Sequence, residues 1–281
     1  MKILITGARG MLGRTLLRRF TAHEVVGTDL PDLDLVDAAA VARLLAQVRP
    51  QAVIHGAAMT AVDACEGEPD KAFAANAVGS ANLARACHLV GARLLALSTD
   101  YVFAGDSPRP YHEWDAPAPR TVYGQSKLAG ELAVAAHCPD HTLVRIAWLY
   151  GAGGPSFVHT MLKHGAVAGE PLRVVDDQIG NPTSTDAVAD LLLRLLEQPV
   201  PGLVHGTCEG ETSWYGFTRE IFRLRGLSRG VVPCTTAEYP RPAPRPANSR
   251  LEKRALRLAR LPAMPTWQET LQRFFTEHPG L

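Results

Sequence analysis

Long apolar runs are missing from this 281-residue chain, and none approaches the roughly 18 residues needed to cross a bilayer. A membrane protein is not expected. The apolar start MKILITG is broken at Gly7, too early for the core of a secretory leader, so the N-terminus is expected to begin the fold itself. Cysteine is scarce: Cys65, Cys87, Cys138, Cys208 and Cys234 are odd in number, scattered and free of any CxxC pair. Neither a disulfide framework nor a zinc site is expected, and a reducing cytoplasm suits such thiols best. An excess of one charge is also missing. The 29 Lys and Arg balance 28 Asp and Glu, leaving +1 and no global field to hold nucleic acid or an anionic membrane. What the chain does have is 46% hydrophobic against 20% charged residues, enough to bury a full core in one large domain or in a large and a small one.

Short apolar runs alternate with longer amphipathic ones. Residues 2–6, 24–28, 52–55, 93–98 and 142–147 read as strands, and 11–20, 38–48, 69–90 and 122–136 as helices. This alternation predicts an α/β fold, a doubly wound parallel sheet with helices on both faces. LITG, LLALSTD and LVRIAWLYG have the continuous apolar character of strands covered on both sides. After about residue 150 the rhythm loosens into the polar DDQIGNPTSTD, helices over 187–197 and 214–225, and the proline-rich PRPAPRP. The expected division is a dinucleotide-binding domain over 1–150, whose core also receives later segments, and a smaller lobe over 151–281 that shapes a substrate site. The proline run is read as a stiff loop of that lobe rather than a polyproline ligand.

Gly7, Gly10 and Gly13 follow the first strand and open the first helix as TGARGMLG. Glycines suit a tight turn whose backbone must approach a pyrophosphate at a helix N-terminus, although the spacing is GxxGxxG rather than GxGxxG. Asp29 closes the second strand, 19 residues after Gly10, where an acid should meet adenosine ribose hydroxyls and favour NAD. Arg9, inside the loop, could instead pair with a 2′-phosphate, so NADP stays open.

Tyr123 and Lys127 stand four apart in VYGQSKLAGE, on one face of a helix start. A phenol is a poor acid at neutral pH unless a cation stabilises its phenolate, and an ammonium one turn away would do so. With only five lysines in the chain, chance pairing of this kind is infrequent. Thr99 ends the strand in LLALSTDYVF at the sheet's carboxyl edge, where its hydroxyl can serve both a substrate carbonyl and the Tyr123 oxygen. The plain alternatives are an exposed Tyr–Lys pair and capping by Thr99 or Asp100. His137 and His141 share a metal-like spacing, but Pro139 breaks any helix between them and no further ligand is near, so no metal is expected.

Taken together, TGxxGxxG, HGAAMTAVDACEGEP, STDYVFAG and YGQSKLAGE resemble the extended short-chain dehydrogenases/reductases. With RIAWLYG, DDQIGNPT and RPANSRL in the same order, the chain is most similar to the dTDP-4-dehydrorhamnose reductase family over nearly its whole length. The resemblance implies that Gly10, Met11 and Leu12 meet the pyrophosphate and Asp29 the ribose. It puts Asp34 and Leu35 near the adenine, Ala58 and Thr60 near the cofactor's middle, and Tyr123 and Lys127 at the nicotinamide riboside. Thr99, Asp100 and Trp148 would face the sugar nucleotide, and Asn248, Ser249 and Arg250 its diphosphate, with Arg245 adding charge. It implies NAD(P)H-dependent reduction of a 4-keto deoxysugar nucleotide. A homodimer is compatible with it, without a metal bridge, because Thr15 stands where such families can carry a bridging glutamate. Two rivals share the motifs: an epimerase or dehydratase, disfavoured because Tyr101 rather than an acid follows Thr99–Asp100, and a non-catalytic NADP-binding regulatory subunit resembling that of methionine adenosyltransferase.

Overall fold

The computed structural model describes residues 1–281. The first half runs β1 (Lys2–Thr6), α1 (Met11–Arg19), β2 (Glu24–Thr28), α2 (Ala38–Val48), β3 (Ala52–His55), α3 (Val62–Gly67), α4 (Pro69–Phe73), α5 (Gly79–Val90), β4 (Arg93–Thr99), α6 (Val122–His137), β5 (His141–Ile146) and β6 (Leu149–Tyr150). The second half adds α7 (Phe157–Gly165), β7 (Leu172–Val175), β8 (Ile179–Gly180), β9 (Thr183–Ser184), α8 (Thr185–Glu197), β10 (Gly202–His205), β11 (Thr212–Ser213) and α9 (Trp214–Arg225). It closes with β12 (Val231–Cys234), β13 (Asn248–Ser249), α10 (Arg254–Leu258) and α11 (Trp267–Glu277).

Six strands form one parallel sheet in the order β10-β5-β4-β3-β1-β2. The period of two along each strand sends alternate residues to opposite faces. Ile3 and Ile5, Ala52 and Ile54, and Leu95 and Leu97 feed one apolar cluster, whereas Leu4, Val53, Leu94 and Ala96 feed another. Both faces are therefore covered: α1 and α8 supply Leu16, Leu191 and Leu195 on one side, and α2 and α5 supply Val41, Leu45 and Leu83 on the other. This is the doubly wound arrangement that continuous apolar strands require.

The single helix expected over 69–90 is interrupted. Residues Ala74–Val78 form a π-helical turn between α4 and α5. Short elements that the sequence pattern did not announce, α3, α7, β10 and α11 among them, complete the structure. The sheet takes β10 from the second half of the chain, and α1 is bound to α8 through Thr15–Thr185 and the Arg18–Asp186 ion pair. The proline run 240–246 is a loop fastened to α3: Arg245 forks onto Asp63 with both bonds at 2.9 Å, and the Ala243 amide donates to the same carboxylate. No helix is long and apolar enough to cross a membrane.

Candidate active site

β1 lies between β2 and β3, so strand order reverses beside it, and the loops leaving the carboxyl ends of β1 and β3 part to open a crevice. There a cleft of about 790 Å³ runs from the glycine loop to the start of α6. Gly7 has φ of +73°, and a Cβ on it would come within 2.7 Å of the Ala57 amide nitrogen in the loop after β3. A Cβ on Gly13 would lie 2.1 Å from the Gly7 carbonyl oxygen, so α1 can approach β1 this closely only with glycine there. Gly10 is the N-cap of α1 and offers no side-chain cap, which leaves the amides of Met11, Leu12 and Gly13 open towards the cleft. Such an uncapped end is suited to a phosphate. The Gly153–Pro155 turn faces this loop from the other side, with Gly154 against Met11 and Gly153 against Arg14.

Asp29 sits at the cleft with its carboxylate accepting the Arg9 and Leu30 amides, each at 2.9 Å. The Arg9 guanidinium donates to the Leu30 carbonyl oxygen and to Asp32, both at 2.6 Å, so its charge is held beside Asp29 on the exposed rim. Asp34 and Leu35 line the adjoining wall, where Asn82 binds the Leu35 and Val36 carbonyls. Ala58 and Thr60 line the opposite one. Between them Met59 has both backbone groups taken by Asn76, whose amide also donates to Ser126 on α6. Asn76 lies in the π-helical turn, a distortion common at functional sites.

Tyr123, Lys127 and Thr99 meet at the far end. Thr121 caps α6 through the Gly124 amide, which fixes where Tyr123 and Lys127 enter the cleft. The Lys127 ammonium donates to the Leu97 carbonyl oxygen at 2.8 Å. Burial lowers its pKa to about 8, opposed by the Glu131 carboxylate. Burial holds the Tyr123 phenol well above its usual value; the Thr99 hydroxyl pulls it down and the Asp100 charge pushes it up. Tyr101 stacks edge-on against Tyr123 at 5.4 Å. Asp100 takes the Thr99 hydroxyl at 3.0 Å, while its other oxygen is buried without a protein partner. Burial raises its pKa to about 6, against the pull of the Thr99 hydroxyl.

Trp148 follows β5 at φ +49°, the left-handed region that costs a bulky residue energy. Its indole lines the cleft, stacks on Trp214 with centroids 3.4 Å apart, and lies so close over Gly180 that a Cβ there would meet it at 2.4 Å. Asn248 does not join the others. Its amide donates to the Ser107 and Arg109 carbonyls at 2.9 and 2.7 Å, and its oxygen accepts from Arg250. The structure gives Asn248 the bracing of the 105–109 loop, while the buried Ser249 hydroxyl beside it has no hydrogen-bond partner. Arg250 is likewise spent on Asn248, Pro108 and Glu211. Sequence reasoning missed Asn76, Trp214 and the Gly153–Pro155 turn; only the turn, in GAGGP after a strand, carried a local signal.

The chain matches the RmlD substrate binding domain family over residues 1–279. It is 46% identical to a dTDP-4-dehydrorhamnose reductase of Streptomyces griseus, across 97% of this chain and 92% of that protein. Among solved structures it superposes on a dTDP-4-dehydrorhamnose reductase from Clostridium acetobutylicum with a TM-score of 0.96 at 44% identity, covering 99% of each chain. For the Bacillus anthracis enzyme, solved in complex with NADP, the TM-score is 0.95 at 39% identity, covering 98% of this chain and 99% of that one. The glycine loop, the buried Tyr–Lys pair and these likenesses agree, and the chain belongs to the dTDP-4-dehydrorhamnose reductase family of extended short-chain dehydrogenases/reductases.

Proposed function

We propose that this protein is an NAD(P)H-dependent oxidoreductase that reduces the 4-keto group of a dTDP-linked deoxysugar, with dTDP-4-dehydro-L-rhamnose as substrate and dTDP-L-rhamnose as product. The observation that carries the reading is the convergence of an uncapped glycine-loop helix end and a buried Tyr123–Lys127–Thr99 group in one cleft. The residues fit a dinucleotide. Gly7 and Gly13 let β1, the loop after β3 and α1 pack backbone to backbone, which brings the uncapped start of α1 to the cleft, where the amides of Met11, Leu12 and Gly13 would hold the pyrophosphate, with Gly10 at their head. Asp29 takes the adenosine ribose, Asp34 and Leu35 flank the base, and Ala58, Thr60, Tyr123 and Lys127 hold the nicotinamide half. When bound, the reduced nicotinamide supplies a hydride.

Tyr123 enters the reaction protonated, as burial ensures, and donates its proton to the carbonyl oxygen as that oxygen gains charge. Thr99 orients the same oxygen with its hydroxyl, and Lys127 offers a fixed cation against the developing phenolate. Asp100, with an unpartnered buried oxygen, accepts a sugar hydroxyl, and Trp148 covers the ring and excludes water. On this reading residues 1–150 bind the dinucleotide and 151–281 mainly the sugar nucleotide. The enzyme works in the cytoplasm, where its five buried thiols stay reduced, as a homodimer without a metal bridge at Thr15.

The test mixes purified protein, dTDP-4-dehydro-L-rhamnose and NADPH or NADH, follows cofactor absorbance and identifies the sugar. Stereospecific formation of dTDP-L-rhamnose is expected. Retained NADP binding with no turnover of this or any related 4-keto sugar would instead support a regulatory subunit.

A further inference from the structure

α6 places three buried polar side chains in a column, one turn apart: Tyr123, Lys127 and Glu131. The first two belong to the proposed reaction; the third has no part in it so far. Glu131 is buried, with 6% of its side chain exposed, and Arg145 of β5 forks onto it at 2.8 and 2.6 Å from an equally buried position. The Ser98 hydroxyl of β4 donates to the same carboxylate, and the neighbouring Leu97 carbonyl receives Lys127. Two consecutive strand residues are thus gripped by two consecutive turns of the catalytic helix. Arg145 is fixed in turn by the Phe103 ring, 4.8 Å below its guanidinium carbon.

We propose, on the strength of the function argued above, that Glu131 is a positioning residue whose carboxylate, set by Arg145 and Ser98, is the buried counter-charge that keeps the Lys127 ammonium charged and fixed beside Tyr123. The other groups around Lys127 do not provide that charge. From β3, His55 is held neutral by burial, its pKa lowered to about 3, between the Thr6 and Ser80 hydroxyls. The π-helical turn and α5 offer the uncharged Asn76 and Ser80, and β4 offers a carbonyl and a hydroxyl. Asp100, after β4, is engaged by the Thr99 hydroxyl. Glu66 of α3 accepts the Val122 amide at the start of α6, and Arg145 carries the wrong sign. Burial alone drives an ammonium towards the neutral amine, so one adjacent carboxylate decides its state near neutral pH.

With five lysines in the chain, Lys127 can be followed directly by NMR of lysine-labelled full-length protein without cofactor or substrate, its signal assigned by its loss in Lys127→Met. In the unmodified chain its titration should centre near 8. In Glu131→Gln the midpoint should fall by about one pH unit or more, while Glu131→Asp, which keeps the charge, should stay close to the unmodified value. The alkaline limb of the kcat/KM profile should move down in step. If Glu131→Gln does not fold because Arg145 is left unpaired, Arg145→Gln gives the second reading: it frees the carboxylate of its guanidinium, and the Lys127 midpoint should rise. An unchanged Lys127 midpoint in either folded Gln variant overturns the proposal. Because that midpoint is read without turnover, failure of the reductase reading alone leaves this result standing.

Discussion

The Lys127 ammonium donates to the Leu97 carbonyl oxygen at 2.8 Å, which ties the helix carrying Tyr123 to the strand that ends in Thr99. Strand β4 is held by both neighbours in the centre of the sheet, so this bond gives the cation a rigid reference point. Tyr123 and Thr99, the proposed proton donor and carbonyl-orienting hydroxyl, are then set by one contact rather than by two mobile side chains.

Tyr123→Phe should keep the fold and lose on the order of 10² to 10⁴ in turnover, the range of general acid catalysis. Lys127→Met should lower both turnover and cofactor affinity, because one cation serves the ribose and the phenolate. Steady-state kinetics together with cofactor titration separate the two; near-normal turnover in Tyr123→Phe removes it as proton donor.

Cofactor choice should follow the rim charges. Asp29→Asn keeps an oxygen for the Arg9 amide but removes the charge that repels a 2′-phosphate, so kcat/KM for NADPH should rise relative to NADH. Arg9→Ala should move the ratio the opposite way. A ratio that stays fixed in both variants places neither side chain at the 2′ position.

Gly13→Ala should destabilise the protein by about 1 to 3 kcal/mol and abolish cofactor binding, since its methyl would overlap the Gly7 carbonyl and the Ala8 backbone. Thermal melts with and without NADPH measure both effects. An unperturbed melt with normal binding would show that α1 can retreat from β1.

Asp100 should cost stability in return for function. Its pKa is raised to about 6 from an unfolded value of 3.8, so the folded state is penalised by a few kcal/mol above pH 6 and relieved as the pH falls through 6 towards 4. Asp100→Asn should therefore raise Tm at pH 8, leave it unchanged near pH 4, and weaken substrate binding. A lower Tm at pH 8 contradicts this account.

Buried neutral histidines should dominate acid unfolding. The pKa values of His55 and His205 are both lowered to about 3 by burial, so the unfolded chain takes up protons first and stability should drain away as pH falls from 6.5 to 3. His205→Gln should flatten the Tm profile over that window; a slope unchanged from the parent chain assigns the acid lability elsewhere.

The alternation of buried strands and amphipathic helices, the glycine loop and the Tyr–Lys spacing were legible in the amino-acid order. Each depends on neighbours within a few residues: a strand covered on both faces must be continuously apolar, and a helix face repeats every three or four positions. From local pattern alone one can therefore reach the parallel sheet, the glycine-loop helix end and the Tyr123–Lys127 pair. What tertiary structure decided are contacts between residues far apart in the chain, for which no local pattern exists. The Asn76 clamp on Met59, the stacking of Trp148 on Trp214, the hold of Asn248 on the Ser107 and Arg109 carbonyls, and the Arg145 fork on Glu131 are of this kind. A buried polar atom must find its partner wherever packing brings one, so its role is set by the assembled fold and not by its own segment.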